Sequence, residues 1–171
     1  MNYASQGIGT VGHLLGELFR SKTGIALNHV PYKGSAPALT DIIGGQVDLL
    51  FDPVVTASPH VLAGKLKAVG IAAPKRSCVL PDVRTLSESG TPGVEATVWF
   101  GMVARAGTPA AIVGKLNDEV IKALKSPEVV KRFTDRGFDI TPMTPQEFGA
   151  FMKDEAARWA PIVKSSGATV D

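Results

Sequence analysis

The chain has 171 residues, 44% of them hydrophobic, enough for an ordinary globular core, and 18 basic against 16 acidic residues leave a formal net charge of +2. Those charges are interspersed and no basic stripe alternates with aromatics, so nucleic acid is not an expected partner. No apolar run approaches the roughly 20 residues of a membrane helix, Met1-Asn2-Tyr3-Ala4 lacks the regions of an export signal, and the single cysteine, Cys78, leaves no partner for a disulfide within the chain.

The stretch Ser5-Gln6-Gly7-Ile8-Gly9-Thr10 runs straight into a helical pattern and reads as an anion cradle. Glycines leave backbone N–H groups uncovered, and a helix N-terminus adds unpaired donors at the positive end of the macrodipole. Thr10 is the expected N-cap, Val11, Leu14, Leu15, Leu18 and Phe19 form the core-facing stripe, and Gly24 ends the helix after Arg20 and Lys22. A small carboxylate or phosphate would sit on the amides of residues 7–10 without any basic side chain. The same residues spell Gly7-x-Gly9-x-x-Gly12, the dinucleotide fingerprint, so a nucleotide-dependent enzyme is an alternative reading. That reading needs an acidic residue about 20 positions on for the ribose, and none occurs between Glu17 and Asp41. A glycine turn that merely joins strand to helix is the third possibility.

Strand and helix patterns then alternate. A strand over residues 25–30 leads to Pro31-Tyr32-Lys33-Gly34, Ser35 caps a short helix with Leu39, Ile42 and Ile43 inward, and Gly44-Gly45 stops it. A buried-type strand over residues 47–51 breaks at Asp52-Pro53, Ser58-Pro59 opens a helical turn through Leu62, and residues 66–72 read as a further strand. This is the pattern of an α/β fold with a mostly parallel sheet and flanking helices, in which ligands collect beyond the carboxyl ends of the strands. Three loops, at residues 5–10, 32–35 and Asp52, fall on that edge and define one candidate pocket. Tyr32 supplies an aromatic wall with a polar tip, and Lys33 a cation or merely a solvated charge. The Gly34 and Ser35 amides form a second helix N-terminus, and Asp52 is either an acceptor for a ligand hydroxyl or amine or a cap before Pro53.

Residues 73–93, rich in Pro, Gly, Ser and charge, read as a connection between lobes, with a small capped helix at Thr85-Leu86-Ser87-Glu88 ended by Gly90. Residues 97–104 are strand-like. Three helices follow, announced by Thr108-Pro109, Ser126-Pro127 and Thr144-Pro145, each an N-cap with proline at N1. The first buries Ile112, Val113, Leu116, Val120 and Leu124, and the second Val129, Val130 and Phe133. A short strand covers residues 138–141, and the last helix carries Phe148, Phe151, Met152, Trp159, Ile162 and Val163, with a kink or break at Pro161. Cys78 reads as an incidental loop thiol, His13, His29 and His60 are scattered without ligand spacing, and no metal motif or catalytic constellation is legible.

Several of these motifs together resemble a known family. Ser5-x-Gly7-x-Gly9-Thr10-x-x-His13-Leu14-x-x-Glu17-Leu18-Phe19, His29-Val30-Pro31-Tyr32-Lys33-Gly34, Gly44-Gly45-Gln46-Val47-Asp48, Gly64-Lys65-Leu66, Leu80-Pro81-Asp82-Val83, Trp99-Phe100-Gly101 and Ala106-Gly107-Thr108-Pro109 resemble the Bug-type (TctC-like) extracytoplasmic solute receptors of tripartite tricarboxylate transporters. The resemblance implies a periplasmic-binding-protein-like, two-lobed "Venus flytrap" receptor, not an enzyme, that captures a small carboxylate without a cofactor and delivers it to membrane subunits in the periplasm. It puts Ser5, Gly7, Gly9 and Thr10 against the ligand carboxylate, partly through backbone N–H groups, maps Tyr32, Lys33, Gly34 and Asp52 to the cleft, and gives His13 a supporting place beside the loop.

Relatives are longer, begin with a signal peptide and carry the first half of lobe one. On that basis residues 1–97 match most of the second lobe and residues 98–171 the C-terminal part of an otherwise absent first lobe. The chain as written would be cytoplasmic when expressed. Carboxylate binding by it alone should be near millimolar or absent, and a remnant without function is a further alternative. Uncovered apolar faces around Ile112, Leu116, Val120, Phe148, Phe151 and Trp159 would be satisfied in a two-fold homodimer or swapped oligomer.

Overall fold

A computed structural model describes residues 1–168. In chain order the elements are β1 (Asn2–Ser5), α1 (Val11–Thr23), β2 (Asn28–Pro31), α2 (Ser35–Ile43), β3 (Leu49–Leu50), α3 (Val54–Leu62), α4 (Ala110–Leu124), α5 (Pro127–Thr134) and α6 (Pro145–Ser166). The chain divides into two compact units, Met1–Val98 with the residues from Ala160 onward, and Trp99–Trp159.

The first unit is built on a parallel sheet of order β2-β1-β3, with Tyr3 paired to His29 on one side and to Leu49 on the other. Each crossover passes through a helix, as parallel pairing requires. The central strand is sealed: Tyr3, Ala4 and Ser5 are all 0% exposed. Ala4 packs with Ala38 of α2 and Val47, flanked by Val30, Tyr32, Ile42 and Leu50. On the other face α1 comes so close that a Cβ on Gly16 would lie 2.2 Å from the Tyr3 ring, so glycine there is the condition for helix and strand to pack.

Helix α1 has the predicted bounds. Gly24 ends it in the left-handed conformation at φ 72°, donating its N–H to Arg20 O. Other expectations need correction. β1 itself carries no period-2 signal across its four residues and was not anticipated. Residues 66–72 do not form a strand; Ile71 is held in an isolated bridge to Thr85, its N–H donating to Arg84 O and its carbonyl accepting from Leu86 N–H. Residues 97–104 and 138–141 are not strands either, since no partner strand is paired to them among the described residues. α3 begins at Val54 instead of Ser58 and carries Pro59 inside.

The caps also differ from the sequence reading. Gly34 caps α2 and Pro109 caps α4, in place of Ser35 and Thr108. α6 runs through Pro161 without a break. Two capping boxes are formed reciprocally: Thr85 with Glu88, in a turn and not a helix, and Thr144 with Glu147 at the start of α6. Arg76 and the Thr85 amide hold the Glu88 carboxyl below the usual carboxylate range.

Within Trp99–Trp159 no residue is buried. Trp99 meets Phe148 and Phe151 edge-on at 5.6 and 5.4 Å between ring centres, and Phe138 meets both Phe100 and Phe133. Ile112 and Leu116 of α4 remain 51% and 49% exposed.

Candidate functional site

All three strands of the sheet deliver their loops to the same edge, and hydrogen bonds tie those loops together. Tyr32 N–H donates to Ser5 O at 3.1 Å and Gly34 N–H to Gln6 O at 3.0 Å, continuing the β1–β2 pairing past the strand ends. Gln6 bridges to the third loop, its Nε2 donating to Phe51 O at 2.6 Å and to Asp52 Oδ1 at 2.7 Å. Ser35 Oγ donates to the same Asp52 oxygen at 2.6 Å, and Thr56 Oγ1 donates to Oδ2. Asp52 therefore accepts from three side chains on three segments. Gln6, at the unspecified position between Ser5 and Gly7 of the pattern, was not singled out from the sequence, although its side-chain amide carries both a donor and an acceptor and can tie two segments together.

The cradle loop is shaped by the chain's own acceptors. Gly7 adopts φ 137° and Gly9 φ 76°, and a Cβ on Gly7 would lie 3.1 Å from Tyr32 O. Gly7 N–H donates to Ser5 Oγ at 3.2 Å, Gly9 N–H to His13 Nδ1 at 3.1 Å, and Thr10 N–H to Gly7 O at 3.3 Å. Three of the four amides first read as the cradle are thus directed inward. The donors left at the loop are Ile8 N–H and the first-turn amides of Val11, Gly12 and His13, which precede the first α1 bond, Leu14 N–H to Thr10 O at 3.0 Å. Thr10 occupies the N-cap position by backbone, but its hydroxyl does not cap α1; it donates to Gly7 O at 2.7 Å, closing the loop on itself. Gly12, the third glycine of the fingerprint, is a packing residue, because a Cβ there would meet Gln6 Oε1 at 2.4 Å and Phe51 O at 2.5 Å.

Tyr32 is half-buried, and its hydroxyl donates to Asp41 Oδ2 at 2.8 Å, which raises its ionisation above the ordinary tyrosine value. Lys33 is exposed at the tip of its loop.

Beneath the loop lies a stack that the sequence did not disclose. Tyr3, His29 and His13 pile face to face, with ring centres 4.9 Å apart for Tyr3–His29 and 4.1 Å for His29–His13. His29 Nε2 is 2.7 Å from Ser5 Oγ. Tyr3 donates its hydroxyl to Glu17 Oε1 at 2.8 Å, and Glu17 pairs with Arg20 at 2.5 Å. Burial lowers His13, against a smaller opposing pull from Glu17, and burial together with the neighbouring His13 ring brings His29 down to about 4. Burial and the Glu17 bond push the Tyr3 hydroxyl well above its usual range. The parallel register, which puts His29 beside Tyr3, and the helical step from Gly9 to His13 create this cluster; the histidines are 16 residues apart, with no motif linking them.

Among the described residues no group of three or more His, Cys, Asp and Glu is placed to hold a metal ion. Open surface depressions lie elsewhere, one of about 400 Å³ on α4 beside Ile112, Lys115 and Leu116.

A helix-flanked parallel sheet that gathers glycine-rich loops at its carboxyl edge is the half-architecture of a periplasmic binding protein, and the comparisons agree. The chain is similar to the solved periplasmic binding protein BugD at 35% identity and TM-score 0.86, covering 98% of this chain and 57% of that one. It is similar to Rpa4515 of R. palustris, solved with adipate, at 34% identity and TM-score 0.90, covering 99% and 56%. Against MatC of Rhodopseudomonas palustris, solved with bound malate, the values are 36% and 0.80, covering 95% and 56%. Residues 1–168 match the tripartite tricarboxylate transporter family receptor, TctC, and the chain belongs to that family. It spans about half the length of the first curated relatives it matches, 49% and 51% of two of them.

Proposed function

We propose that this chain forms one side of a receptor site for a small dicarboxylate or tricarboxylate, captured in the periplasm for the membrane subunits of a tripartite transporter. The observation that carries the reading is the convergence of the loops at residues 5–10 and 32–35 and at Asp52 on one sheet edge, with the first-turn amides of α1 opening beside them. Adipate and malate in two structural relatives are the ligand chemistry that such donors suit. Ser5, Gly7, Gly9 and Thr10 shape the loop. The amides of Ile8, Val11 and Gly12 supply donors, Lys33 adds a cation, and Tyr32, Gly34, Ser35 and Asp52 brace the opposite wall.

Residues 1–97 then act as most of one ligand lobe and residues 98–171 as part of the other, and a second copy covers the apolar faces around Ile112 and Leu116 in a two-fold dimer. Two or three charge-assisted bonds of about 1.5–3 kcal/mol each orient an anion but fall short of the ~8 kcal/mol of a micromolar complex once binding entropy is charged.

Calorimetric or ligand-observed NMR titration with adipate, malate and citrate, against the dimethyl ester of adipate, checks the reading. Millimolar binding that requires free carboxylates and is lost in Gly7→Val is the expected result; binding of the ester as tightly as the acid contradicts it.

A further inference from the structure

We propose that His13 and His29 are positioning residues for the ligand loop, and that protonation of His13 releases the loop from its binding shape. The inference rests on the receptor reading for what the loop binds, but its geometry stands alone. Each histidine holds one glycine of the loop. His13 Nδ1 accepts from Gly9 N–H at 3.1 Å, while His29 Nε2 holds Ser5 Oγ at 2.7 Å, and Ser5 Oγ in turn takes the Gly7 N–H at 3.2 Å. Gly7 and Gly9 both lie in the positive-φ region, and these bonds, with Thr10 Oγ1 and Ser5 Oγ at 2.7 and 3.1 Å from Gly7 O, hold the loop in one conformation there.

An imidazole that accepts at Nδ1 is neutral, with its proton on Nε2. Adding a proton places an N–H on Nδ1, facing the Gly9 N–H, and the acceptor is lost. The surroundings work against such a charge. His29 is stacked on the His13 ring at 4.1 Å, Tyr3 covers the far face of His29, and Arg20 adds positive charge; only Glu17, itself bonded to Tyr3 and Arg20, favours the cation. The loop thus keeps its shape while both rings stay neutral and gives it up when acid overcomes burial.

Amide and imidazole NMR of the full chain between pH 7.5 and 4.5 tests this. The Gly9 amide should shift with the same midpoint as the His13 ring, below the ordinary histidine value, while the amides of Thr85 and Glu88 in the remote capping box stay in place. In His13→Asn, whose amide oxygen still accepts but does not titrate, the Gly9 amide should become independent of pH over that range. A Gly9 amide that stays flat while His13 protonates overturns the proposal, and so does one that moves only together with Thr85 and Glu88 as the whole unit unfolds. With adipate as probe, wild type should have lost about twofold more affinity than His13→Asn at the pH where the His13 ring is half-protonated, and about tenfold more one pH unit below it, the ligand's own titration being common to both. Equal losses separate the histidine from the site, whereas no adipate binding at pH 7.5 in either protein counts against the receptor reading and leaves the Gly9 coupling to decide this one.

Discussion

Around β1 three consecutive residues, Tyr3, Ala4 and Ser5, are completely enclosed, whereas from Trp99 to Trp159 the chain forms helices without a buried residue. Both regions are apolar enough to make a core and both carry clear start and stop signals. The difference is in what sits opposite each apolar stripe. α1 and α2 find a sheet at once, and small residues let them approach it: Gly12 and Gly16 on α1, Ala38 on α2. α4 presents Ile112 and Leu116 half-exposed, and α5 leaves Val130 and Phe133 at 37% and 40%. Helix existence is a local property, while burial belongs to the pair of surfaces.

The comparison is broken most severely at Tyr3. Tyr3→Ala removes a fully buried ring stacked on His29 and should cost about 3–5 kcal/mol, unfolding the sheet unit, while Phe133→Ala should cost only about 1 kcal/mol. Segment-resolved hydrogen exchange checks both, since protection should collapse over β1, α1 and β2 in the first variant and change only locally in the second. Gly16→Ala acts on the same contact from the helix side. With the added Cβ meeting the Tyr3 ring, a loss of about 1–3 kcal/mol in urea denaturation is expected despite alanine's better helix propensity.

Acid should distinguish the two regions next. His29 titrates near 4 when folded and near 6.5 when unfolded, so the unfolded chain binds the proton first as pH falls. The stability that neutral His29 represents is complete above about pH 6.5 and declines between 6.5 and 4, by up to ~3 kcal/mol, with His13 adding in the same direction. Thermal melts followed by hydrogen exchange between pH 7.5 and 4 should show the sheet unit weakening while α4 and α5 keep their protection; a uniform decline contradicts the assignment of this sensitivity to the histidine stack.

Smallest is the contrast between two identical devices. Thr85→Ala removes the capping hydroxyl of a residue that is only 3% exposed and should cost about 1 kcal/mol, whereas Thr144→Ala, with its box in solvent, should cost less and register mainly as fraying at the start of α6.

What was legible in the sequence follows the same division. The bounds of α1, its glycine stop, the α2 segment, proline at the start of α5 and the family were all readable, because each is written in contiguous residues. The convergence of the three loops followed from the parallel alternation. Illegible were the features made by register: β1 itself, the His13–His29 stack, and Gln6 reaching Asp52 across 46 positions. The side-chain role of Thr10 was misread for a related reason, since the Gly7 conformation brings its carbonyl closer to that hydroxyl than any amide of the helix. The strand-like runs at residues 66–72 and 97–104 have strand composition without a paired neighbour, and composition alone forms no ladder.

Amide-resolved NMR titration of the full chain with adipate at pH 7.5 tests the central claim most directly. The account predicts saturable shifts at Ile8, Val11 and Gly12, with smaller ones at Gly34 and Ser35, and none along α4 or α5. Shifts confined to α4 beside Ile112 and Leu116, or none at any residue of the β1–α1 loop at tens of millimolar adipate, would contradict it.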